Sequence, residues 1–260
     1  MSTAPSTALI TGASAGIGRD LARLFAADGH NLVLVARRAE ALRALADELA
    51  REHRIQAATI AVDLAKPDAP ARIQSELSRA GTSIDVVVNN AGFGLQGTVA
   101  ELPLERQLDM IQVNVTALTA LTRLFLPAML QRNRGGILNV ASTAAFQPGP
   151  LMAVYYATKA YVESFTEALA EEVKGTGLRI TCLCPGPTAT EFAEAAAIAD
   201  TNLFRGRTMT SADVARIGYD GWKNGKVLVV SGLSNKVGMS LVRMAPRSMV
   251  RRLVKRLNGR

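Results

Sequence analysis

Residues 8–18 read ALITGASAGIG, a short apolar run followed by a turn that contains three glycines. The run predicts a buried strand, and the residues after the turn predict the start of a helix. Glycines in this strand–turn–helix context let the backbone approach a pyrophosphate closely, and its charge meets free N–H groups at the helix N-terminus. The alternative is a glycine-rich connection without a ligand. The turn residues that we expect to bind a dinucleotide are Gly12, Ser14, Gly16, Ile17 and Gly18.

The chain as a whole alternates short β-branched runs with longer helical ones, which is the signature of βαβ units and a parallel sheet. The predicted strands are Ala8–Thr11, Leu32–Ala36, Ala57–Val62, Val86–Asn89, Ile137–Ala141, Arg179–Cys184 and Val227–Val230. The predicted helices are Ile17–Asp28, Glu40–Glu52, Ala69–Arg79, Leu104–Gln131, Val154–Lys174 and Ala212–Trp222. Strands this apolar suit a sheet that helices cover on both faces. Since no linker is long enough to divide the chain, we predict a single α/β domain.

The composition is that of a globular protein, because 48% of the 260 residues are hydrophobic and 20% are charged. No run approaches the ~18 to 20 uninterrupted apolar residues that cross a bilayer. The N-terminus, Met1–Ser6, lacks the basic start and apolar segment of a secretory signal. We expect Cys182 and Cys184, two positions apart in the sixth strand, to point to opposite faces, which excludes a disulfide between them. Two cysteines also make no metal set, so we predict a cytoplasmic protein with buried thiols and no metal.

The net charge of +8 comes from the C-terminus. Residues 236–260 contain eight basic residues and no acidic one, so the first 235 residues carry 22 of each sign. We therefore predict a domain over residues 1–235 and a basic extension over residues 236–260. A neutral body argues against a nucleic-acid-binding face, and we expect no nucleic-acid partner.

The end of the second predicted strand bears on the choice of cofactor. It reads Ala36-Arg37-Arg38, where an acid would bind the ribose 2′-hydroxyl of NAD and an arginine accommodates the 2′-phosphate of NADP. No acid occupies this strand end, since Glu40 already opens the next helix. We therefore predict that Arg37 favours NADP(H). Arg38 is expected to face solvent.

Polar and small residues also follow the third and fourth strands, as Asp63-Leu64 and Asn89-Asn90-Ala91-Gly92. The carboxyl ends of parallel strands line the crevice where such sheets bind ligands. Further along, Asn114 lies in an apolar stretch of the long fourth helix, where an unpaired amide would be costly. It must hydrogen-bond either a backbone group of the protein or a functional water.

A tyrosine and a lysine four residues apart, Tyr155 and Lys159, share one face of a predicted helix. A nearby ammonium favours the ionised phenol and so lowers its pKa, and such a tyrosine can exchange a proton with a carbonyl or alcohol oxygen. Ser142 follows the fifth strand, and the loop after it can bring Ser142 beside Tyr155. The alternative is a solvated lysine beside a half-buried tyrosine.

These motifs together resemble the short-chain dehydrogenase/reductase family over roughly residues 6–232. The matching positions are Thr11–Gly18, Asn89–Gly92, Asn114, Ser142, Tyr155 with Lys159, and Pro185-Gly186. The resemblance implies a Rossmann-like, doubly wound, seven-stranded parallel sheet of order 3-2-1-4-5-6-7. It also implies a catalytic tetrad of Asn114, Ser142, Tyr155 and Lys159. In the family the tyrosine is the proton donor, the serine polarises the carbonyl, the lysine binds the nicotinamide ribose and lowers the tyrosine pKa, and the asparagine holds a water. Tyr156 does not stand four residues before the lysine and is rejected as the donor.

The resemblance further implies which residues contact the cofactor and how the protein assembles. Besides the turn residues and Arg37, the implied cofactor contacts are Asp63, Leu64, Asn90, Ala91, Gly92, Tyr155, Lys159, Pro185, Gly186, Thr188 and Thr190. Thr190 is expected at the nicotinamide carboxamide. Because family members commonly pair through the helices predicted at 104–131 and 154–174, we expect a homodimer or homotetramer.

The variable segment Glu191–Met209 is expected to cover the substrate. It is rich in apolar residues (Phe192, 195–198, Leu203, Phe204), and its Arg205 and Arg207 either meet an anionic tail or face water. Loops that the fold places nearby complete an apolar pocket. The residues that we expect to contact the substrate are Phe93, Leu95, Phe146, Met152 and Phe192.

The C-terminal extension contains a second amphipathic pattern. Between Met249 and Leu257, apolar residues recur at helical spacing and basic residues occupy the other face. This pattern is typical of a helix that lies in the interface of an anionic membrane, and Pro246 would mark its start. The alternative is a helix packed on the protein's own surface or on a partner subunit.

The sequence therefore predicts an NADPH-dependent oxidoreductase that interconverts a carbonyl and an alcohol on an apolar small-molecule substrate. A 3-oxoacyl thioester and a steroid-like ketone are the alternative substrates. A different class of function is a non-catalytic NADP-binding sensor or scaffold on the same fold. The complete tetrad argues against that class, because a sensor has no need of the Tyr–Lys pair and the serine.

Overall fold

A computed structural model describes residues 5–204 and 208–259, so the predicted cover residues Arg205 and Arg207 lie outside the described part. The strands are β1 (Thr7–Thr11), β2 (Asn31–Ala36), β3 (Ala57–Ala61), β4 (Val86–Asn89), β5 (Gly135–Val140), β6 (Leu178–Cys184), β7 (Thr188–Ala189), β8 (Met209–Thr210) and β9 (Leu228–Val230). Seven of them form a parallel sheet of order β3-β2-β1-β4-β5-β6-β9, and β7 pairs with β8. The predicted strand order is confirmed, with β9 as the seventh predicted strand.

Every predicted helix is present, within one or two residues of its expected ends. The helices are α1 (Gly16–Ala27), α2 (Ala39–His53), α3 (Ala69–Arg79), α4 (Leu104–Ile111), α5 (Leu118–Arg132), α6 (Ala153–Glu172), α7 (Glu191–Ala195), α8 (Ser211–Lys223), α9 (Leu233–Met244) and α10 (Arg247–Asn258). A π-helical turn at Gln112–Ala117 joins α4 to α5, and a 3₁₀ turn spans Thr143–Phe146. The predicted helix 104–131 is therefore one helical run with a π turn inside it.

The central strands are buried on both faces, as the predicted parallel sheet requires. In β1, Ile10 packs into one apolar cluster with Phe25 of α1, and Leu9 packs into another with Leu121 of α5. Neighbouring side chains of a strand point to opposite faces, so a continuous apolar run fills two cores. The strand order reverses between β1 and β4, and this reversal opens a crevice at their carboxyl ends.

The helical run Leu104–Arg132 is 29 residues long and, by length and composition alone, apolar enough to cross a membrane. In the fold it lies against the sheet, and Leu121 and Met129 are fully buried in the core. Leu104 and Leu108 at its beginning are more than half exposed. Packing against the sheet thus accounts for much of its apolar character, although not for its first turns.

The expectation for the two cysteines is wrong. Side chains in a strand repeat with a period of two, so Cys182 and Cys184 of β6 point to the same face, and their sulfurs lie 3.7 Å apart. Both are free and buried thiols. The prediction of buried thiols holds, but the reason given against a disulfide does not.

The C-terminal region is helical and begins earlier than expected. The predicted boundary at 235/236 lies inside α9. Asn235 of this helix packs so closely on Gly186 that a Cβ placed on Gly186 would collide with the Asn235 side chain. Pro246 directly precedes α10, as expected for a proline at a helix start. The extension therefore continues from β9, and its second helix packs against the apolar cluster around Met152, Tyr155 and Tyr156.

Candidate active site

The turn between β1 and α1 needs glycine at defined positions. Gly12 and Gly16 adopt φ of +65° and +52°, which side chains with a Cβ rarely tolerate. A Cβ on Gly12 would lie 2.7 Å from Asn90 Nδ2, and one on Gly18 would collide with the same amide. Gly18 thus makes room for Asn90, whereas Gly12, Gly16 and Ile17 line the cleft.

Asn90 fastens this turn to the end of β4. Its Nδ2 donates to the Thr11 carbonyl at 2.9 Å, and the backbone N–H groups of Asn90 and Ala91 both donate to Thr11 Oγ1 at 3.0 Å. The side chain assigned to the cofactor by resemblance therefore holds the protein's own turn. The result is a rigid edge for the cleft.

The residues present fit a nicotinamide dinucleotide. Ala15 precedes α1 and offers no side-chain cap, and the first turn of α1 has no acid, so its N–H groups are available to an anion. The crowding around Gly12 keeps side chains away from the place where a pyrophosphate would approach. We call the part of the cleft from this turn to Pro185-Gly186 the cofactor half.

The cofactor half continues into a second cavity between the ends of β2 and β3, lined by Ser14, Arg37, Arg38, Asp63 and Leu64. Arg37 is exposed at this cavity and pairs with no acid among residues 5–204 and 208–259. Arg38 does not simply face solvent. Its Nε donates to Ser14 Oγ at 3.3 Å, and its Nη1 lies 3.0 Å from Glu191 Oε2 of α7.

Tyr155, Lys159 and Ser142 come together at the floor of the cleft, as predicted. Lys159 Nζ lies 5.8 Å from the centre of the Tyr155 ring and donates to the Val140 carbonyl at 2.8 Å. Ser142 follows β5, and its Oγ accepts from the Ala144 N–H at 3.1 Å. Both helix residues are buried, with 8% and 5% of their surfaces exposed. The alternative of a solvated lysine is therefore excluded.

Burial, rather than the neighbouring ammonium, dominates the ionisation of this pair. Desolvation raises the pKa of Tyr155 well above its usual value, and the Ser142 side chain lowers it to a lesser degree. Desolvation also lowers the pKa of Lys159 to about 8, against smaller opposing effects of the nearby thiols. The expectation of a lowered Tyr155 pKa is thus wrong for the protein alone. The phenol is neutral and carries the proton that a donor needs.

Asn114 lies in the π-helical turn and is fully engaged by the protein. Its Oδ1 accepts from the Phe93 N–H at 3.1 Å, and its Nδ2 donates to the Phe93 carbonyl at 3.0 Å and to Thr158 Oγ1 at 3.0 Å. The sequence left open whether this amide binds a backbone group or a water, and the structure shows the backbone group, that of Phe93. A Cβ placed on Gly92 would lie 3.0 Å from Asn114 Oδ1 and 3.4 Å from Lys159 Nζ, so these groups adjoin one another.

Most predicted site residues line one continuous cavity of about 320 Å³. The predicted residues on its wall are Gly12, Gly16, Ile17, Arg37, Asn90, Ala91, Gly92, Phe93, Ser142, Met152, Tyr155, Lys159, Pro185, Gly186, Thr188, Thr190 and Phe192. Thr190 also caps α7 by accepting from the Phe192 N–H at 3.3 Å. The sequence reasoning missed Ala144, Gln147 and Tyr156 as wall residues. No local pattern distinguishes them, since only the loop before α6 brings them there.

Two residues predicted to contact the substrate do not line this cavity. Phe146 packs beside a cluster around Val162 and Cys184, with the Arg243 guanidinium 5.8 Å from its ring centre. Leu95 packs beside the cluster that contains Met152, Tyr155 and Tyr156 and is not itself among the residues that line the cavity. Both stand in the predicted loops, but neither is among the residues that line the cavity.

The remaining wall, which we call the substrate half, is apolar and includes Met152, Tyr156, Phe192, Ile198, Leu203 and Phe204. The Phe192 ring lies 5.5 Å from that of Tyr155. A Cβ on Gly94 would lie 3.0 Å from Phe192 and 3.2 Å from Met152, so this wall closes tightly around the phenol. The arrangement brings an uncharged proton donor to an apolar chamber that opens into the cofactor half.

Comparison with known proteins agrees with this architecture. A family model described as short chain dehydrogenase matches residues 6–200. A short-chain dehydrogenase from Sphingobium yanoikuyae in complex with NADPH has a TM-score of 0.82 at 30% identity, over 92% of this chain and 94% of that one. A short chain dehydrogenase/reductase from Burkholderia phymatum in complex with NAD has a TM-score of 0.80 at 26% identity, over 91% of this chain and 92% of that one.

Among relatives, the very-long-chain 3-oxoacyl-CoA reductase of Bos taurus is 35% identical over 192 residues. These residues make up 72% of this chain and 61% of that protein. A short chain dehydrogenase of Pseudocercospora fijiensis is 36% identical over 188 residues, which are 60% of its length. The match thus spans about 60% of the length of such relatives.

Proposed function

The chain belongs to the short-chain dehydrogenase family, and on that premise we propose that it is an NADPH-dependent oxidoreductase interconverting a carbonyl and an alcohol on an apolar substrate. The observation that carries the proposal is the buried, neutral Tyr155 at the junction of the two halves of the cleft. A neutral phenol in reach of an apolar chamber suits protonation of a carbonyl oxygen. Residues 1–235 would carry the cofactor and the tetrad.

The chemistry divides among the residues of the floor. Bound nicotinamide supplies the hydride. Tyr155 donates its proton to the carbonyl oxygen in reduction and takes it back in alcohol oxidation, while the Ser142 hydroxyl donates a hydrogen bond to the same oxygen. Lys159, charged at neutral pH with a pKa of about 8, stabilises the phenolate that remains and would hold the nicotinamide ribose. Asn114 fixes the Phe93 backbone beside them.

We propose NADPH rather than NADH as the preferred cofactor. Arg37 lines the second cavity without an acidic partner among the described residues, and no acid ends β2. A free guanidinium pairs well with a 2′-phosphate. The solved relatives include one with NADPH and one with NAD, so the support comes from this arginine.

The apolar wall and the relatives together favour a 3-oxoacyl thioester as the second candidate substrate. The chamber is lined mainly by Met, Phe, Ile and Leu side chains, which suit a hydrocarbon chain. The similarity to a very-long-chain 3-oxoacyl-CoA reductase is a specific reason to consider 3-oxoacyl thioesters. An apolar or steroid-like ketone fits the same lining.

The test is NADPH consumption with a panel of 3-oxoacyl thioesters of increasing chain length, apolar ketones and a steroid ketone. We expect turnover of at least one apolar class, and loss of it in Tyr155→Phe. If the protein binds NADPH but turns over no probe, and if Tyr155→Phe binds NADPH equally well, the sensor or scaffold is favoured instead.

We also propose a homodimer or homotetramer that pairs through α4–α5 and α6. Leu104, Leu108 and Ile111 present apolar side chains to solvent along one side of α4. Tyr161 of α6 is also exposed, and its hydroxyl lies 2.9 Å from Thr119 Oγ1 of α5. Pairing would bury this surface. Light scattering should give two or four subunits at micromolar concentration, and a monomer would contradict the proposal.

We propose that α9 makes peripheral contact with an anionic membrane. In α10 fewer apolar residues are exposed for this contact than the sequence pattern predicted. Leu233, Val237, Leu241 and Met244 of α9 are 52–85% exposed, and Met249 and Leu253 of α10 are also exposed. The extension is purely basic, which complements anionic lipid and opposes pairing with a second copy of itself. The protein would otherwise be cytoplasmic.

Cosedimentation with phosphatidylserine-containing vesicles tests this contact. Leu241→Gln with Met244→Gln should reduce binding several-fold, and binding should fall as salt rises. The matched control is Val99→Gln with Val227→Gln, which changes two exposed apolar residues elsewhere. Equal vesicle binding by both pairs would remove the proposal.

A further inference from the structure

The end of α10 packs against the substrate half of the cleft. Val250 and Val254 are buried in the same apolar cluster as Met152, Tyr155 and Tyr156. Asn258, the last residue of α10, is 1% exposed. Part of the apolar stripe in the extension therefore faces the active site and is not available to a membrane.

Asn258 joins three separate segments around the chamber. Its Nδ2 donates to the Pro150 carbonyl at 2.9 Å, and its Oδ1 accepts from the Tyr156 hydroxyl at 3.0 Å. Its backbone carbonyl accepts from Gln96 Nε2 at 2.7 Å. The partners lie in the turn before α6, in α6 itself and in the loop after β4. An amide with both ends hydrogen-bonded in a buried site fixes its partners strongly, because any loosening leaves polar groups unpaired.

The turn that Asn258 holds is strained. Leu151 adopts φ of +69°, in the left-handed region where a branched side chain is disfavoured. Such a conformation persists only where surrounding contacts impose it, and here Asn258 binds the Pro150 carbonyl on one side while the Gly97 N–H donates to the Leu151 carbonyl at 2.8 Å. Met152 follows directly and lines the chamber. The position of this wall residue therefore depends on the contact with α10.

Tyr156 is held between the same turn and α10. A Cβ on Gly149 would collide with the Tyr156 ring, so the ring packs flat against the turn. Burial raises the pKa of Tyr156, and its hydroxyl stays protonated as the donor to Asn258. The end of α10 also pins the cover, because the Leu203 N–H donates to the Leu257 carbonyl at 2.9 Å and the Asn202 N–H donates to the Gly259 carbonyl at 3.1 Å. Leu203 is itself a wall residue.

We infer that the end of α10 supports the wall of the substrate half from behind and that Asn258 is a positioning residue, which sets the Pro150–Met152 turn and the Tyr156 ring for the carbonyl substrate. This inference rests on the proposed function, since it assigns the substrate half to that molecule. None of the contacts of Asn258 reaches the β1–α1 turn or Arg37. Substrate binding thus depends on Asn258, whereas cofactor binding does not.

The kinetic test compares full-length variants with the 3-oxoacyl thioester or ketone that the unaltered protein reduces best. Asn258→Leu removes two buried hydrogen bonds and should raise KM for that substrate about tenfold, with a smaller effect on kcat and less than a twofold change in the NADPH dissociation constant. Tyr156→Phe removes one of the two bonds and keeps the ring, so KM should rise about threefold. Asn224→Leu is the matched control, since it removes an exposed asparagine that binds only the Asp220 carbonyl of its own helix.

Hydrogen exchange measured by mass spectrometry tests the same inference without a substrate. Asn258→Leu should accelerate exchange about tenfold or more in residues 94–97 and 150–156 and leave residues 12–18 unchanged. An unchanged KM and unchanged exchange in these loops would overturn the inference. So would a parallel loss of NADPH affinity and of protection in residues 12–18, which would mark Asn258 as a general stabilising residue. If the unaltered protein reduces no probe, the proposed function fails while the exchange result still decides the role of Asn258.

Discussion

The cofactor half and the substrate half of the cleft differ in the kinds of residue that form them. The cofactor half consists of backbone and small residues, with Gly12 and Gly18 fitted against the Asn90 amide at distances that leave no room for a side chain. The substrate half consists of large apolar side chains, held by contacts such as that between Gln96 and Asn258, which are 162 residues apart. One half depends on geometry that few residue types tolerate, and the other on packing that many apolar residues can supply.

This difference explains why the two halves should respond separately to mutation. A Cβ on Gly12 or Gly18 would collide with backbone atoms, so the cofactor half should tolerate almost no substitution at these two glycines. An apolar wall adapts to volume changes at modest cost, so the substrate half can change its specificity without loss of the fold. Tyr155 and Lys159 stand where the two halves meet.

The largest effect is expected from Tyr155→Phe. The change removes the proton donor but keeps the buried ring, so turnover should fall about 10²- to 10⁴-fold while the NADPH dissociation constant stays nearly the same. The matched variant Tyr156→Phe, on the adjacent residue, should lower turnover far less. Steady-state kinetics and cofactor titration distinguish these results. Similar losses of turnover in both variants would show that Tyr155 is not the donor.

A smaller effect, confined to the cofactor half, is expected from Arg37→Ala. The loss of a charge-assisted hydrogen bond of about 1.5–3 kcal/mol should weaken NADPH binding about 10- to 150-fold and leave NADH binding almost unchanged. Arg38→Ala is the matched control, because its guanidinium is already engaged by Ser14 and Glu191 and such an exposed pair is worth about 0–1 kcal/mol. Equal affinities of the unaltered protein for the two cofactors would contradict the assignment of Arg37.

The smallest effect concerns stability at the junction, in Lys159→Met. Burial lowers the pKa of Lys159 to about 8 in the folded protein, below its ordinary value near 10.5 in the unfolded chain. Between these two values the unfolded chain binds more protons, so the stability of the unaltered protein rises with pH across this window. Below pH 8 the buried charge costs stability in full, and the methionine variant does not bear that cost.

We therefore expect the variant's melting temperature, relative to that of the unaltered protein, to be highest at pH 7 and to fall by about 2–4 °C or more by pH 10. Both proteins share all other titrating groups, so the difference isolates Lys159. Activity should be lost at every pH. A temperature difference that does not vary with pH would mean that Lys159 titrates as an exposed lysine does.

Much of the fold was predictable because its signals are local. The runs at 8–11 and 86–89 are continuous and apolar, and the strands there begin and end within one residue of the expected positions. The helix α9 was missed although its apolar residues recur at helical spacing, and the other features that were missed are short or conditional. The pairs β7–β8 and the five-residue α7 have no period long enough to detect, and the π turn at Gln112–Ala117 has the same side-chain pattern as an α-helix.

The residues of the candidate site could be predicted from the sequence, but their burial and its effect on their pKa values could not. Tyr155, Lys159 and Ser142 were identified and the structure brings them together, yet the direction of the Tyr155 pKa shift was wrong, since helix spacing reveals a neighbouring charge but not the depth of burial. Phe146 and Leu95 were placed in the right loops but do not line the cavity. Side-chain direction in a loop follows from backbone angles that no periodic pattern encodes.

The sequence by itself determined the strands, the helices and the glycine turn, because these depend on hydrophobic periodicity and on conformations open to few residue types, whereas the strand order came from the family resemblance. Only the tertiary structure decided which side chains form the substrate half, that α10 packs against them, and that burial outweighs charge at Tyr155. Those outcomes depend on contacts between residues far apart in the chain and on the exclusion of water from them. A local sequence pattern predicts neither these contacts nor the exclusion of water, because both arise only in the folded chain.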